Sequence, residues 1–180
     1  TPQQLIADDR AEHDPGWSPD GKMLVFSART PRDPSRMAIY LLELSTRRLS
    51  RLPGSEEMFS PRWSPDGRFI ASHNIDIQNR LMLFDFTTQK WTDLFSGRHA
   101  GAPHWSRDGR HIYFHSAQEG RFLFRVGIGD RKLELWANLT GFRLARGVFG
   151  AWVGWTPDDQ PLMLRDEGTQ DIYALEWQTP

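Results

Sequence analysis

The chain alternates short apolar segments with polar turns, and this alternation recurs four times along its length. Each apolar segment has the length of a β-strand and is too short for an ordinary helix. The clearest segments each follow a turn rich in proline, aspartate and glycine, and span residues 23–27, 69–73, 111–115 and 161–165. This pattern predicts an all-β chain built from short strands, with almost no helix.

Four copies of one turn motif precede these strands. Each copy has a tryptophan as its second residue, then serine or threonine, and then a Pro-Asp-Gly turn or a close variant of it. The copies span residues 16–22, 62–68, 104–110 and 154–160. Proline presets φ, aspartate can bond back to the backbone, and glycine accepts a positive φ. The motif therefore predicts a tight turn between a strand that ends in tryptophan and the apolar strand after it.

The spacing of the motif predicts a β-propeller. The tryptophans stand at positions 17, 63, 105 and 155, in steps of 46, 42 and 50 residues, which is close to the roughly 40–45 residues of a four-stranded blade. Third strands are predicted at residues 38–44, 81–86, 122–128 and 171–177, and outer strands at 50–52, 91–95 and 133–136. We expect one domain, 1–180, made of four four-stranded blades with repeats at about 8–52, 53–95, 96–136 and 137–177.

The fourth repeat stops after its third strand, whereas residues 3–7 look like an outer strand without a blade of its own. We expect residues 3–7 to complete the last blade beside residues 171–177, because this closure hides open sheet edges. Closed rings of four blades are rare for this kind of repeat, so two alternatives stay open. In the first alternative the chain is an open arc of a larger ring. In the second it is half of a ring that a second copy completes as a homodimer.

The Trp-Ser-Pro-Asp-Gly motif, followed by a basic residue and an apolar strand, resembles the WD40-like repeat of TolB-type propellers. The resemblance covers nearly the whole chain, and the fourth copy departs from it at Thr156 and Asp159. Residues 156–166 and 168–175 are also similar to the end of large acidobacterial proteins, in which a propeller follows a winged-helix or Ser/Thr kinase domain and a membrane span. That second resemblance implies the periplasmic or extracytoplasmic sensor part of a bacterial signalling protein.

Composition narrows the classes of function. The net charge is −1, and nucleic-acid binding needs a basic surface, so we expect no nucleic acid as a partner. No apolar run reaches the roughly 18 residues of a membrane span, so we expect no membrane insertion by this segment. The absence of cysteine excludes disulfides and thiolate sites, and it leaves a cytoplasmic location open as the alternative. Because the chain begins at Thr1, we expect it to be a piece of a longer protein.

The repeated tryptophans and aspartates invite two functional interpretations. Tryptophans could stack on a sugar, and carboxylates could bind calcium. Each set recurs at the same place in every repeat, which favours packing between blades and stabilisation of turns. The sets comprise Trp17, Trp63, Trp105 and Trp155, and Asp20, Asp66, Asp108 and Asp158.

Two histidines occupy equivalent positions in adjacent repeats. His73 and His115 each follow the turn glycine of their repeat at the same distance, so they are candidates for a ligand site near one face. A metal site needs three or four ligands, and the sequence offers no such spacing. We therefore predict binding by these residues without a metal or another cofactor.

No catalytic motif accompanies the repeats. The chain has no Gly-x-Ser-x-Gly elbow, no phosphate loop and no zinc-binding helix motif. We predict a non-enzymatic recognition or sensor module. The alternative is the non-catalytic propeller of a hydrolase of the prolyl oligopeptidase type, or part of a carbohydrate-active enzyme.

The longest connecting loop, residues 138–150, is the predicted contact surface. Its residues Arg143, Arg146 and Phe149 make it more apolar and more basic than a connector requires. Arginine and aromatic residues dominate binding hot spots, and function concentrates on loops. We predict a protein or peptide partner, with carbohydrate as the alternative ligand. The competing interpretation is that the loop packs over the ring.

Overall fold

The computed structural model describes residues 2–7, 10–30, 33–74, 80–97, 101, 103–116, 122–147, 150–151 and 153–168. At residues 30, 33–35, 146–147 and 150–151 it describes only the backbone. These residues form strands, turns and irregular segments, without a helix. The prediction of an all-β chain is confirmed. The described part of the chain also has no helix long and apolar enough to cross a membrane.

Three four-stranded antiparallel sheets follow one another along the chain, each in simple sequential order. The first blade comprises β1 (Ala11–Trp17), β2 (Met23–Thr30), β3 (Asp33–Glu43) and β4 (Leu49–Arg51). The second comprises β5 (Met58–Trp63), β6 (Phe69–Asn74), β7 (Arg80–Asp85) and β8 (Lys90–Phe95). The third comprises β9 (His104–Trp105), β10 (His111–His115), β11 (Phe122–Gly127) and β12 (Leu133–Asn138).

The fourth repeat is described in part. The short strands β13 (Arg146–Gly147) and β14 (Gly150–Ala151) pair with each other, and β15 (Val153–Trp155) pairs with β16 (Pro161–Met163). Leu144 forms an isolated antiparallel bridge with Arg165. The predicted third strand, 171–177, lies outside the described residues. The described residues thus form an arc of propeller blades, and no closed sheet occurs among them.

The repeated turn has the geometry that its residues predict. Gly21, Gly67 and Gly109 all have a positive φ, of 69°, 74° and 69°, in the region that glycine enters at little cost. In the second repeat the Ser64 hydroxyl accepts a hydrogen bond from the N–H of Phe69, with 2.8 Å between the two atoms. The turn therefore sets the register in which β6 begins.

Alternate residues of each strand pack on opposite faces of its blade, as the pleat of a strand requires. Val25 and Ile39 of the first blade pack with Ile70 and Phe84 of the second, whereas Phe26 points to the other face. We call the face directed back along the chain the leading face and the opposite face the trailing face. The clusters that contain Ile70 and Ile112 therefore lie between two successive blades.

The expectation for residues 3–7 is corrected by the structure. They form no strand; instead Leu5 and Ile6 pack against Phe26 and Tyr40 of the first blade. The physical reason is that the leading face of this blade is apolar and removes these two side chains partly from water. The expected pairing partner, residues 171–177, lies outside the described residues.

Candidate functional site

The repeated aspartates are used inside their own turns. In each repeat the hydroxyl of serine or threonine donates to the aspartate carboxylate two residues later, at distances of 2.7, 2.5, 2.6 and 2.5 Å. These hydroxyl groups are the largest cause that lowers the pKa of the carboxyls. The carboxyls are those of Asp20, Asp66, Asp108 and Asp158. They stabilise turns, as the sequence favoured, and do not converge on one ion.

Three of the four repeated tryptophans pack between blades. Trp105 is buried, stacks on Phe69 of the preceding blade and donates a hydrogen bond to the Arg62 carbonyl over 3.0 Å. Trp155 stacks on Tyr113 with 4.4 Å between the ring centroids. Trp63 packs against the cluster that joins the first two blades, so the blade-packing interpretation is confirmed for these three residues. Trp17 differs, because 62% of it is exposed.

His73 and His115 lie at the same end of their second strands, but the structure does not bring them together as metal ligands. His73 is buried and pairs across β5 and β6 with Phe59. The His115 carbonyl accepts a hydrogen bond from the N–H of Gly101 over 2.7 Å. Within the described ranges, no group of three histidine, aspartate or glutamate side chains is placed to hold a metal ion.

The segment that precedes β13 is tied to the segment that follows β16. Arg143 Nη2 donates to Asp166 Oδ2 and to the Gly168 carbonyl, in both cases over 3.0 Å. The N–H of Gly168 and the Arg143 guanidinium together lower the pKa of the Asp166 carboxyl. The candidate residue Arg143 therefore has a structural role while it remains accessible to solvent.

The other two candidates of the long loop are less fully placed. The backbone of Arg146 pairs with Ala151 in the β13–β14 ladder, and its side chain is not described. Phe149 lies outside the described residues. Phe142, in the same segment, is 56% exposed. An exposed aromatic ring beside an accessible guanidinium keeps this segment a candidate contact surface.

Ring-bearing side chains from two blades meet where the first strands begin. The rings of His13 and Phe59 are 6.3 Å apart between centroids. The Ser27 hydroxyl donates to the His13 carbonyl over 3.2 Å, and the Ser72 hydroxyl donates to the Phe59 carbonyl over 2.8 Å. We call the end of the blades at which His13, Phe59, His73 and His115 lie the loop-end face, because the inter-strand loops leave the blades there.

The sequence analysis did not identify the contact between Arg62 of the second blade and Asp14 of the first. The Arg62 guanidinium donates to its neighbour Pro61 O over 2.8 Å and reaches Asp14 O of the first blade over 3.5 Å. Burial lowers the pKa of Arg62, and the Asp14 carboxylate opposes that shift. The repeat alignment could have identified Arg62. It stands directly before the tryptophan, at the position where the first and fourth repeats have glycine, Gly16 and Gly154.

His104 occupies the same repeat position in the third blade. Its ring stacks on Trp155 with 5.6 Å between centroids and an interplanar angle of 11°. Burial lowers the pKa of His104, the carboxylate of Asp159 acts in the opposite direction, and Arg62 adds to the lowering. His104 is thus a neutral packing residue at ordinary pH, at the contact of the third and fourth repeats.

No protein-family model matches the chain, and no curated protein sequence matches it. The crystal structure of TolB from Acinetobacter baumannii superposes on it with a TM-score of 0.72 at 19% identity, over 94% of this chain and 41% of that one. A protein assigned as TolB from Agrobacterium tumefaciens does so with a TM-score of 0.61 at 27% identity, over 77% of this chain and 48% of that one. The chain has a TolB-like β-propeller fold.

The TolB-like fold is shared with a protease. The β-propeller domain of the Trilobed protease from Pyrococcus furiosus superposes with a TM-score of 0.59 at 15% identity, over 81% of this chain and 45% of that one. The chain spans less than half the length of each of these three structures. A fold does not decide a function. The TolB-like fold is compatible with a recognition module and with a propeller that accompanies a catalytic domain.

Proposed function

We propose that this chain is a non-catalytic recognition module that binds a protein or peptide at its loop-end face. The observation that supports this most directly is the His13–Phe59 contact, which joins ring-bearing side chains of two blades at 6.3 Å. Aromatic rings give large contact areas at a small entropic cost, and they are enriched at protein interfaces. The repeated carboxylates are engaged inside their own turns, so we do not count them among the groups that contact a partner.

The long loop extends the proposed contact surface. Arg143 presents a guanidinium that is 58% exposed although it pairs with Asp166, and the neighbouring Phe142 ring is 56% exposed. Arg146 and Phe149 belong to the same loop. An acidic or aromatic peptide would meet complementary groups there. A carbohydrate is the alternative ligand, since exposed rings also stack on sugars.

The test is quantitative binding to a purified partner that the intact chain captures. One variant replaces Arg143, Arg146 and Phe149 with alanine, and a second is His13→Ala. The matched control is Leu135→Ala, because Leu135 is 55% exposed on the outer strand β12. We expect each test variant to weaken binding about tenfold or more, or roughly 1.4 kcal/mol, and the control to bind as the original chain does. Unchanged binding by both folded test variants contradicts the proposed site.

The second candidate function is the propeller part of a hydrolase of the prolyl oligopeptidase type, which the likeness to the protease propeller favours. The complete gene distinguishes the two: a nucleophile-elbow domain supports the hydrolase, and a kinase or winged-helix domain supports the sensor. Turnover by the isolated chain that one substitution abolishes would overturn the non-catalytic proposal.

We place the module outside the cytoplasm, as part of a bacterial signalling or regulatory protein. This rests on the resemblance of residues 156–166 and 168–175 to propellers that follow a membrane span. Fractionation of cells that express the complete protein tests the location. Recovery of the propeller in the cytosolic fraction, with a cytosolic marker as control, contradicts it.

A further inference from the structure

The Arg62 side chain is partly buried among the first strands of three blades. Its Nη1 donates to the carbonyl of Pro61 in its own strand over 2.8 Å and to the carbonyl of Asp14 in β1 over 3.5 Å. Its charge also acts on His104 of β9, where it contributes to the lowered pKa of that ring. The guanidinium therefore lies within reach of the first, second and third blades at once.

This guanidinium is incompletely paired. In the part of the chain that the structure describes, only Nη1 has hydrogen-bond acceptors, and both of them are neutral carbonyls. No described carboxylate lies within ion-pair distance of Arg62, and burial lowers its pKa more than the Asp14 carboxylate raises it. A charge that is withdrawn from water without an ionic partner costs free energy. Stability therefore does not explain why this position holds an arginine.

The strands β1 and β5 each contain a bulge directly before the position of Arg62. The pairing register shifts there in both strands. Asp14 and Ser60 stand at the same repeat position inside these bulges and have φ of 50° and 56°, a left-handed conformation that is uncommon outside glycine. Bulges redirect side chains and occur beside functional sites. The bulge in β1 contributes directly to the surroundings of Arg62, because the carbonyl that the guanidinium reaches is that of Asp14.

Gly16 keeps a side chain away from the guanidinium. It occupies in the first blade the repeat position that Arg62 holds in the second. A Cβ atom built on Gly16 would lie 3.8 Å from the Pro61 carbonyl oxygen, which is the oxygen that accepts the hydrogen bond from Arg62 Nη1. A side chain at this position would therefore begin beside that hydrogen bond, and glycine places none there.

We propose that Arg62 binds a carboxylate of the peptide or protein that docks on the loop-end face. Nε and Nη2 of a guanidinium present two parallel N–H donors, which is the geometry of bidentate carboxylate recognition. Phe59 at the loop-end face stands three residues before Arg62 in β5, or about 10 Å along a strand. An acidic side chain or the C-terminus of a docked peptide spans that distance. This inference rests on the proposed function, because the loop-end face holds the rest of the peptide.

Three tripeptide probes test the proposal by NMR titration of the intact chain. Acetyl-Gly-Phe-Asp-amide carries one carboxylate on its side chain, acetyl-Gly-Phe-Gly carries one at its C-terminus, and acetyl-Gly-Phe-Asn-amide carries none. We expect at least one acidic probe to shift the Arg62 Nε–H signal and to bind about tenfold more tightly than the neutral probe. The acidic probe that binds more tightly identifies the source of the carboxylate. Equal affinities for all three probes, or no binding up to about 10 mM, overturn the proposal.

Arg62→Gln and the control Arg68→Gln each remove one positive charge from the second blade. The Arg68 side chain is 53% exposed and pairs with Asp85 over 3.0 Å. We expect Arg62→Gln to bind acidic and neutral probes alike, and Arg68→Gln to keep the preference for an acidic probe. A preference that survives Arg62→Gln contradicts the proposal. His13→Ala tests the loop-end face separately: it should weaken all three probes equally, and unchanged affinities in this variant contradict the proposed face while the role of Arg62 stands.

Urea unfolding without a peptide distinguishes binding from a structural role of Arg62. Arg62→Met removes the charge and keeps an unbranched side chain at this position. We expect its unfolding midpoint to equal or exceed that of the original chain, because no ion pair is lost and a partly buried charge is removed. A lower midpoint, or a variant that fails to fold, would show that the guanidinium holds the blades together, and the proposal would then be wrong.

Discussion

Asp159 accepts a hydrogen bond from the backbone N–H of Arg107, with 3.0 Å between Asp159 Oδ1 and Arg107 N. Arg107 stands where the other turns have proline, and Asp159 stands where the other turns have glycine. Proline has no N–H to donate and glycine has no side chain to accept, so the two departures from the repeat complement each other. Between the third and fourth turns this polar contact takes the place of the packing that sets Pro19 beside Gly67 and Pro65 beside Gly109.

The Arg107–Asp159 contact predicts a measurable coupling between the two positions. Arg107→Pro removes the donor and is expected to lower the free energy of unfolding by about 1 kcal/mol, the usual net contribution of one hydrogen bond. Asp159→Gly loses the same bond but relieves a φ of 63°, so we expect a change below about 0.5 kcal/mol. Urea unfolding of both single variants and the double variant measures the coupling. Strict additivity contradicts a direct interaction.

Truncation of Trp105 is expected to destabilise the fold much more than truncation of Trp17. Trp105→Ala should cost roughly 3–5 kcal/mol, because it opens a cavity beside Phe69 and frees the Arg62 carbonyl. Trp17→Ala should cost less than about 1 kcal/mol, since the residue is 62% exposed. Chemical denaturation compares them. Equal losses would contradict the difference in burial between the two residues.

The contact of Gly101 with His115 predicts that alanine is not tolerated at position 101. A Cβ atom at Gly101 would lie 2.0 Å from His115 Cε1, so the ring must move. We expect Gly101→Ala to cost roughly 1–3 kcal/mol and a second change, His115→Ala, to recover part of that loss. The control is Gly129→Ala, where no described atom lies within 4 Å of the new Cβ. Similar stabilities for both glycine variants, measured by thermal unfolding, contradict the close approach.

His104 predicts that acid weakens the contact between the third and fourth repeats. Burial lowers its pKa below the ordinary value of 6.5, so the unfolded chain binds more protons than the folded chain in acid. The free energy of unfolding should therefore fall as pH falls through about 6.5, and be restored above it. His104→Phe keeps the ring on Trp155 without a proton to bind. Chemical denaturation at pH values on both sides of that value should show that the free energy of unfolding changes less with pH in the variant. An equal change in both proteins refutes the prediction.

The sequence by itself determined the repeat and its turns. The Trp-Ser-Pro-Asp-Gly motif encodes contacts within a few residues, such as the bond from Ser64 to Asp66 over 2.5 Å. Local contacts of this kind form in the same way wherever the motif occurs, because the residues that make them are adjacent in the chain. The strands on either side of each turn, and thus the blades, follow from it.

The tertiary structure alone decided what the same residue does in different blades. Trp17 and Trp105 share a repeat position, yet one is mostly exposed and the other is 6% exposed, because burial depends on a neighbouring blade. For the same reason Leu5 and Ile6 cover the first blade instead of forming the predicted strand. Contacts between blades join residues that are distant in the chain, so the surroundings of a side chain exist only after the blades have packed.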